Sequence, residues 1–103
     1  MDKVIKDGKV AILVSPEFGA GWSTWNSDNP ECLFDPEIVN LVLTGQRNKV
    51  YDFAQDKYGD GFYAGGASDL EVFWLPVGEQ FYVHEYDGSE SIKTKERDNW
   101  LTA

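Results

Sequence analysis

Lys9-Val10-Ala11-Ile12-Leu13-Val14-Ser15 decides the fold. Its apolar, largely β-branched residues run without polar alternation, the pattern of a short strand buried on both faces. Such a strand lies inside a sheet, so other elements must cover it above and below. Pro16 ends the run, and a long connection from Glu17 to Phe34 follows, punctuated by Gly19, Gly21, Asn26, Asn29 and Pro30.

Downstream, Asp35-Pro36-Glu37 reads as a helix start. Asp35 caps free amides, Pro36 suits the first turn, and Glu37 complements the helix dipole. Ile38, Leu41 and Val42 share one face, Val39 and Leu43 widen it, and Gly45 stops the helix in a left-handed conformation. A second helix is predicted from Asn48 to Tyr58, with Val50, Phe53 and Ala54 as its buried stripe. Residues 59–68 contain four glycines and form a loop.

From Asp69 the period becomes two, with Leu70, Val72 and Trp74 on one face and Glu71, Phe73 and Leu75 on the other. Pro76-Val77-Gly78-Glu79 makes a turn, and Gln80 to Tyr86 is expected as the antiparallel partner of the strand before it. Asp87-Gly88 turns the chain into a polar strand near Ser91 to Lys95. The expected fold is one α+β domain over residues 1–103, with a mostly antiparallel sheet of about four strands and two helices on one face. Its order is β-α-α-β-β-β. The tail carries Trp100 and Leu101, an apolar pair expected to dock on the core or on a neighbouring subunit.

Composition agrees with one core: 103 residues, 42% hydrophobic and 15% aromatic, are too apolar for a disordered chain. Cys32 is the only cysteine, which excludes an intramolecular disulfide and suits a reducing compartment. No apolar run approaches the roughly 20 residues of a membrane span, and residues 1–8 lack a signal-peptide core, so a cytoplasmic location is expected.

Nine basic and eighteen acidic residues give a net charge of −9, which repels phosphate backbones and anionic membranes. Direct nucleic-acid binding is not expected. All nine cations fall within Lys3–Lys9, Arg47–Lys57 and Lys93–Arg97, leaving two long segments without a positive charge. Were these stretches to meet, they would form a basic patch suited to a small anion.

The sequence has no phosphate-loop motif, no paired cysteines for zinc and no second histidine, so neither a metal nor a cofactor is expected. Gly19-Ala20-Gly21 follows a strand but lacks the third glycine of a dinucleotide fingerprint, and Trp22 would block a pyrophosphate. His84, between Tyr82 and Tyr86, reads as a half-buried strand histidine, with an acid–base role as the alternative.

Two loops offer binding chemistry instead. In Gly21-Trp22-Ser23-Thr24-Trp25-Asn26 the indoles supply planar faces and the hydroxyls and amide supply directional hydrogen bonds. Core filling is the leading reading of each tryptophan, and a ligand platform is the alternative. In the second loop Phe62, Tyr63, Gly65 and Gly66 allow close backbone approach, and Ser68 and Asp69 suit ribose-like hydroxyls.

The segments Val10–Pro16, Gly19–Asn26, Phe34–Val39, Lys57–Tyr63 and Glu85–Ser91 together resemble a family of short hypothetical proteins of tailed phages and prophages. The resemblance spans nearly the whole chain and implies a counter-defence role in the host cytoplasm. Its first form is a sponge that sequesters a small nucleotide-derived signal between the two loops, with His84 nearby and Arg47 or Lys49 neutralising phosphate. Its second is an acidic inhibitor of a host defence protein, mimicking nucleic acid through residues such as Glu71, Glu85 and Glu90. A hydrolase built on Asp69 and His84 ranks third. Self-association is a further expectation, by analogy with small sponges whose pockets lie between subunits.

Overall fold

A computed structural model describes residues 3–94 and shows an α+β fold with two helices and five strands in two antiparallel sheets. Trp100 and Leu101 lie outside the described residues. Strand β1 (Ile5–Lys6) and strand β2 (Lys9–Val14) form a short hairpin, and β2 pairs along its length with β3 (Glu71–Pro76). Strands β4 (Phe81–Tyr86) and β5 (Ser89–Thr94) form a separate hairpin. Helix α1 spans Pro36–Leu43 and helix α2 spans Val50–Tyr58.

The doubly apolar character of β2 is explained by three layers. Ala11 and Leu13 face the helices, together with Leu70, Val72 and Trp74, and pack on Ile38, Val39, Val42, Val50 and Ala54. Val10, Ile12 and Val14 face the other way with Phe73 and Leu75, onto Phe81, Val83 and Ile92 of the β4–β5 hairpin. A sheet apolar on one face only would leave the second layer without a partner.

The expected pairing of 69–75 with 80–86 is therefore corrected. β3 pairs with β2, and the turn after Pro76 carries β4 across the sheet instead of alongside it. Period two identifies which residues share a face and is silent on which strand lies next door. Helices pack on one face, as expected, and the hairpin covers the other.

The start and stop of α1 follow local chemistry. The Asp35 carboxylate accepts from the Glu37 and Ile38 amides at 3.0 and 3.2 Å. Gly45 adopts φ +75° just past α1. Leu43, expected on the buried face, is 54% exposed because it ends α1 and lines an open groove, while its neighbour Val42 stays in the core. The second helix begins at Val50, with Arg47–Lys49 forming a 3-10 turn ahead of it. No helix among the described residues is long and apolar enough to cross a membrane.

Candidate functional site

The two glycine- and aromatic-rich loops do meet, and they are fastened by side chains. Asn26 is buried and donates to the Trp22 and Tyr63 carbonyls at 2.7 and 2.8 Å, while its own oxygen accepts from the Tyr63 amide at 2.7 Å. A methyl group on Gly66 would meet the Gly21 carbonyl oxygen at 2.8 Å and Ser15 Oγ at 2.9 Å. The backbones touch there, so Gly21 and Gly66 serve packing and leave no gap between the loops.

Glu90 closes the arrangement from the opposite end of the chain. It is 2% exposed, and its carboxylate accepts from the amides of Ser15, Trp22 and Thr24 at 2.9, 2.7 and 3.1 Å, and from Thr24 Oγ1 at 2.5 Å. Its own amide donates to the Ser15 carbonyl at 2.8 Å. Sequence reasoning placed Glu90 on an exposed acidic face; the structure makes it an interior anchor, because the loop after β2 has amides that no strand satisfies.

Trp22, read as core filler or ligand platform, is core and leaves the candidate ligand set. Its indole is fully buried, donates to the Cys32 carbonyl at 3.0 Å, and meets the buried Phe62 edge-to-face at 5.1 Å. Phe62 in turn stacks on Tyr58 at 4.8 Å. Thr24 and Asn26 likewise spend their hydrogen bonds inside the protein, and Ser23 sits half-buried in a 3-10 turn with Trp25. Trp25 and Tyr63 are the two ring systems that stay at the surface, about two-fifths exposed, with centroids 5.0 Å apart. Each lies over a glycine, Trp25 over Gly21 and Tyr63 over Gly65.

Other predicted site residues are scattered. Arg47 is half-buried and donates from Nε to the Leu70 carbonyl at 2.6 Å. Ser68 is exposed and Asp69 half-buried in a turn that packs on α2. His84 is exposed, not half-buried, because Val83 and Ile92 point inward and alternation turns His84 to the outer face of the β4–β5 hairpin. The sheet thus separates His84 from Asp69.

A charged cluster around the buried Asp35 caps α1. Asp35 accepts from Tyr58 Oη at 2.5 Å and from Lys57 Nζ at 2.8 Å, and Lys57 also lies 3.6 Å from Glu37. Burial alone would raise the Asp35 carboxyl, but hydrogen bonds from Lys57, Tyr58 and the Ile38 amide hold it below its ordinary value. The Asp35 carboxylate raises Lys57. Burial, then Asp35, pushes the Tyr58 phenol up. Cys32 is buried and its thiol is pushed up to about 12, first by burial and then by Glu90, Glu31 and Asp35. These groups hold structure together and leave Lys57 unavailable for a ligand.

An open groove lies elsewhere, where the helical layer runs out. It has a volume of about 530 Å³ and is lined by Lys6, Asp7, Lys9, Leu43 and Trp74. Lys6 and Lys9 are directly opposite each other across β1 and β2. Lys9 alternates with Ala11 and Leu13, so both ammonium groups and Trp74 belong to the helix-facing side of the sheet, beyond the end of α1. Lys6 and Lys9 therefore gather as the chain folds back on itself, whereas Lys3 lies over the Phe34 ring at 4.3 Å, and Arg47 and Lys57 are committed to Leu70 and Asp35. The signal for this was legible: Asp7-Gly8 between short apolar-polar pairs marks a two-residue hairpin turn.

Among the described residues no group of three His, Cys, Asp or Glu side chains is placed to hold a metal ion. Comparison with protein-family models, curated proteins and solved structures found no match for this chain.

Proposed function

We propose that this chain is a non-catalytic binding protein that holds a small, anionic, nucleotide-like ligand in the groove of Lys6, Lys9, Leu43 and Trp74. The observation that carries the proposal is the directly opposed Lys6–Lys9 pair beside an indole in a groove of about 530 Å³. Like charges opposite each other in a ladder are destabilising, and a bound anion removes the repulsion. The volume falls within the usual range for small-molecule sites. Trp74 gives a planar base a face to stack on, the ammonium groups neutralise phosphate, and Leu43 supplies an apolar wall.

Resemblance to phage proteins supplies the biological setting, sequestration of a nucleotide-derived immune signal. An acidic decoy remains the second reading from charge, but it loses Glu90 to the interior.

The test is thermal unfolding with a panel of cyclic dinucleotides and ADP-ribose derivatives. A ligand at about a hundredfold excess over its dissociation constant adds about 2.7 kcal/mol to stability. The gain should vanish in the double variant Lys6→Gln/Lys9→Gln and shrink in Trp74→Phe, and the ligand should be recovered unaltered after denaturation. No stabilisation by any member of the panel would remove the proposal, and recovery of a cleaved ligand would replace it with an enzyme.

A further inference from the structure

Phe18 and Tyr86 are 69% and 70% exposed, yet their rings meet edge-to-face at 6.3 Å. Leaving two such rings in water is unfavourable, and nothing within the fold requires it. Both are held in place by neighbours. The Gly19 amide donates to the Asp87 carbonyl at 2.7 Å, Ser89 Oγ donates to the Pro16 carbonyl at 2.6 Å, and Gly88 lies against Gly19 and Ala20. Trp25 and Tyr63 form a second exposed pair, tied to the same anchor because Thr24 and the start of β5 meet at Glu90.

Charge selects what these rings face. All four aromatics fall in residues 10–46 and 58–92, the two segments that contain no lysine or arginine. Glu17 flanks Phe18, Glu85 and Asp87 flank Tyr86, and all three acids are exposed. The combination of pinned aromatic faces and exposed carboxylates, of which Glu85 keeps one oxygen on the Gly88 amide at 2.7 Å, matches a guanidinium, which stacks on rings and pairs with carboxylates. A second copy of the chain, itself carrying −9, brings like charge to the same face.

We infer that the Phe18–Tyr86 pair, with Trp25–Tyr63 beside the same anchor, is a docking face for an arginine-bearing segment of another protein. Aromatic anchors surrounded by polar groups are the usual anatomy of an interface hot spot. This face is distinct from the Lys6–Lys9 groove and takes a partner of opposite charge.

The experiment measures fluorescence anisotropy of two labelled peptides of equal charge, one alternating arginine with glycine and the other lysine with glycine. The arginine peptide should bind about tenfold more tightly, a difference of about 1.4 kcal/mol. Phe18→Ala/Tyr86→Ala should erase the preference while leaving the melting temperature unchanged, since both side chains are mostly in solvent. Lys6→Gln/Lys9→Gln should leave the preference intact. Equal binding of the two peptides would reduce the effect to bulk charge and overturn the inference, as would a preference that survives in the double alanine variant. Sedimentation showing self-association lost in that variant would assign the face to a second copy instead.

Discussion

Replacing Glu90 by glutamine keeps one acceptor oxygen and turns an NH2 group either towards the Ser15 amide or towards the three donors from Trp22 and Thr24 that share the other oxygen. Leaving a buried donor unmatched costs about 1–3 kcal/mol, and a urea midpoint lowered accordingly is the expected result. An unchanged midpoint would mean that the first loop is held by other contacts. Nothing in Ser89-Glu90-Ser91 signals burial, since the surrounding residues read as a polar strand and the donors lie far away in sequence. Asp35 is the contrasting case: its capping role was legible from Asp-Pro-Glu alone, whereas its partners Lys57 and Tyr58 required the packed helices. Tyr58→Phe removes a hydrogen bond to a buried carboxylate and should destabilise by about 1.5–3 kcal/mol. The pH dependence gives a second readout. Because the Asp35 carboxyl is held below 3.8, its contribution is present above that pH and lost as pH falls through the folded value. Losing Tyr58 raises that folded value, so in Tyr58→Phe the acid loss begins at higher pH. At the alkaline end, Lys57 and Tyr58 are raised above 10.5 and 10.0, so their stabilisation is complete below pH 10.0 and fades as pH rises further. In the variant only the Lys57 part of that alkaline loss remains, which unfolding curves across both limbs would show.

The hairpin turns define the next scale, because the same dipeptide does different work at each end of the chain. Asp7-Gly8 and Asp87-Gly88 both have positive φ at each residue, as a tight two-residue turn demands. Gly8 has open space around it, so Gly8→Ala meets only backbone strain, while Gly88→Ala would also drive a methyl into Ala20 and Gly19. Each should be destabilising, Gly88→Ala by clearly more than about 1 kcal/mol, and the difference between their melting temperatures isolates the contact from the strain. If the two variants melted together, the Gly88 contact with the first loop would carry no weight. Strand faces were legible from alternation in 70–75 and from the unbroken run in β2, and the dihedral demands of Asp87-Gly88 were legible too. The partner of β3 was not, because neighbouring strands are chosen by how two apolar faces are covered at once.

For the whole molecule, the layered order explains where chemistry is available. The helices stop before the sheet does, so the helix-facing side of β1, β2 and β3 is left open at Lys6, Lys9 and Trp74. The β4–β5 hairpin and the first loop instead turn Tyr86, Phe18 and Trp25 outward. A lysine-lined groove and an acid-rimmed aromatic face thus occupy different parts of one −9 chain. Neither was legible as a unit. Charge segregation and the aromatic loops were visible in the sequence, but whether Trp22 or Trp25 reached the surface depended on Phe62, Cys32 and Glu90, residues remote from them in the chain. The link from Ser15 to Glu90 spans 75 positions, which has a consequence for how the chain is made. A ribosome delivers the first loop long before the residue that fastens it, so the nascent polypeptide carries that segment untied while both helices and β3 are made. The stitch arrives only when the β4–β5 hairpin has emerged, so closing this long loop is a late, non-local step of folding.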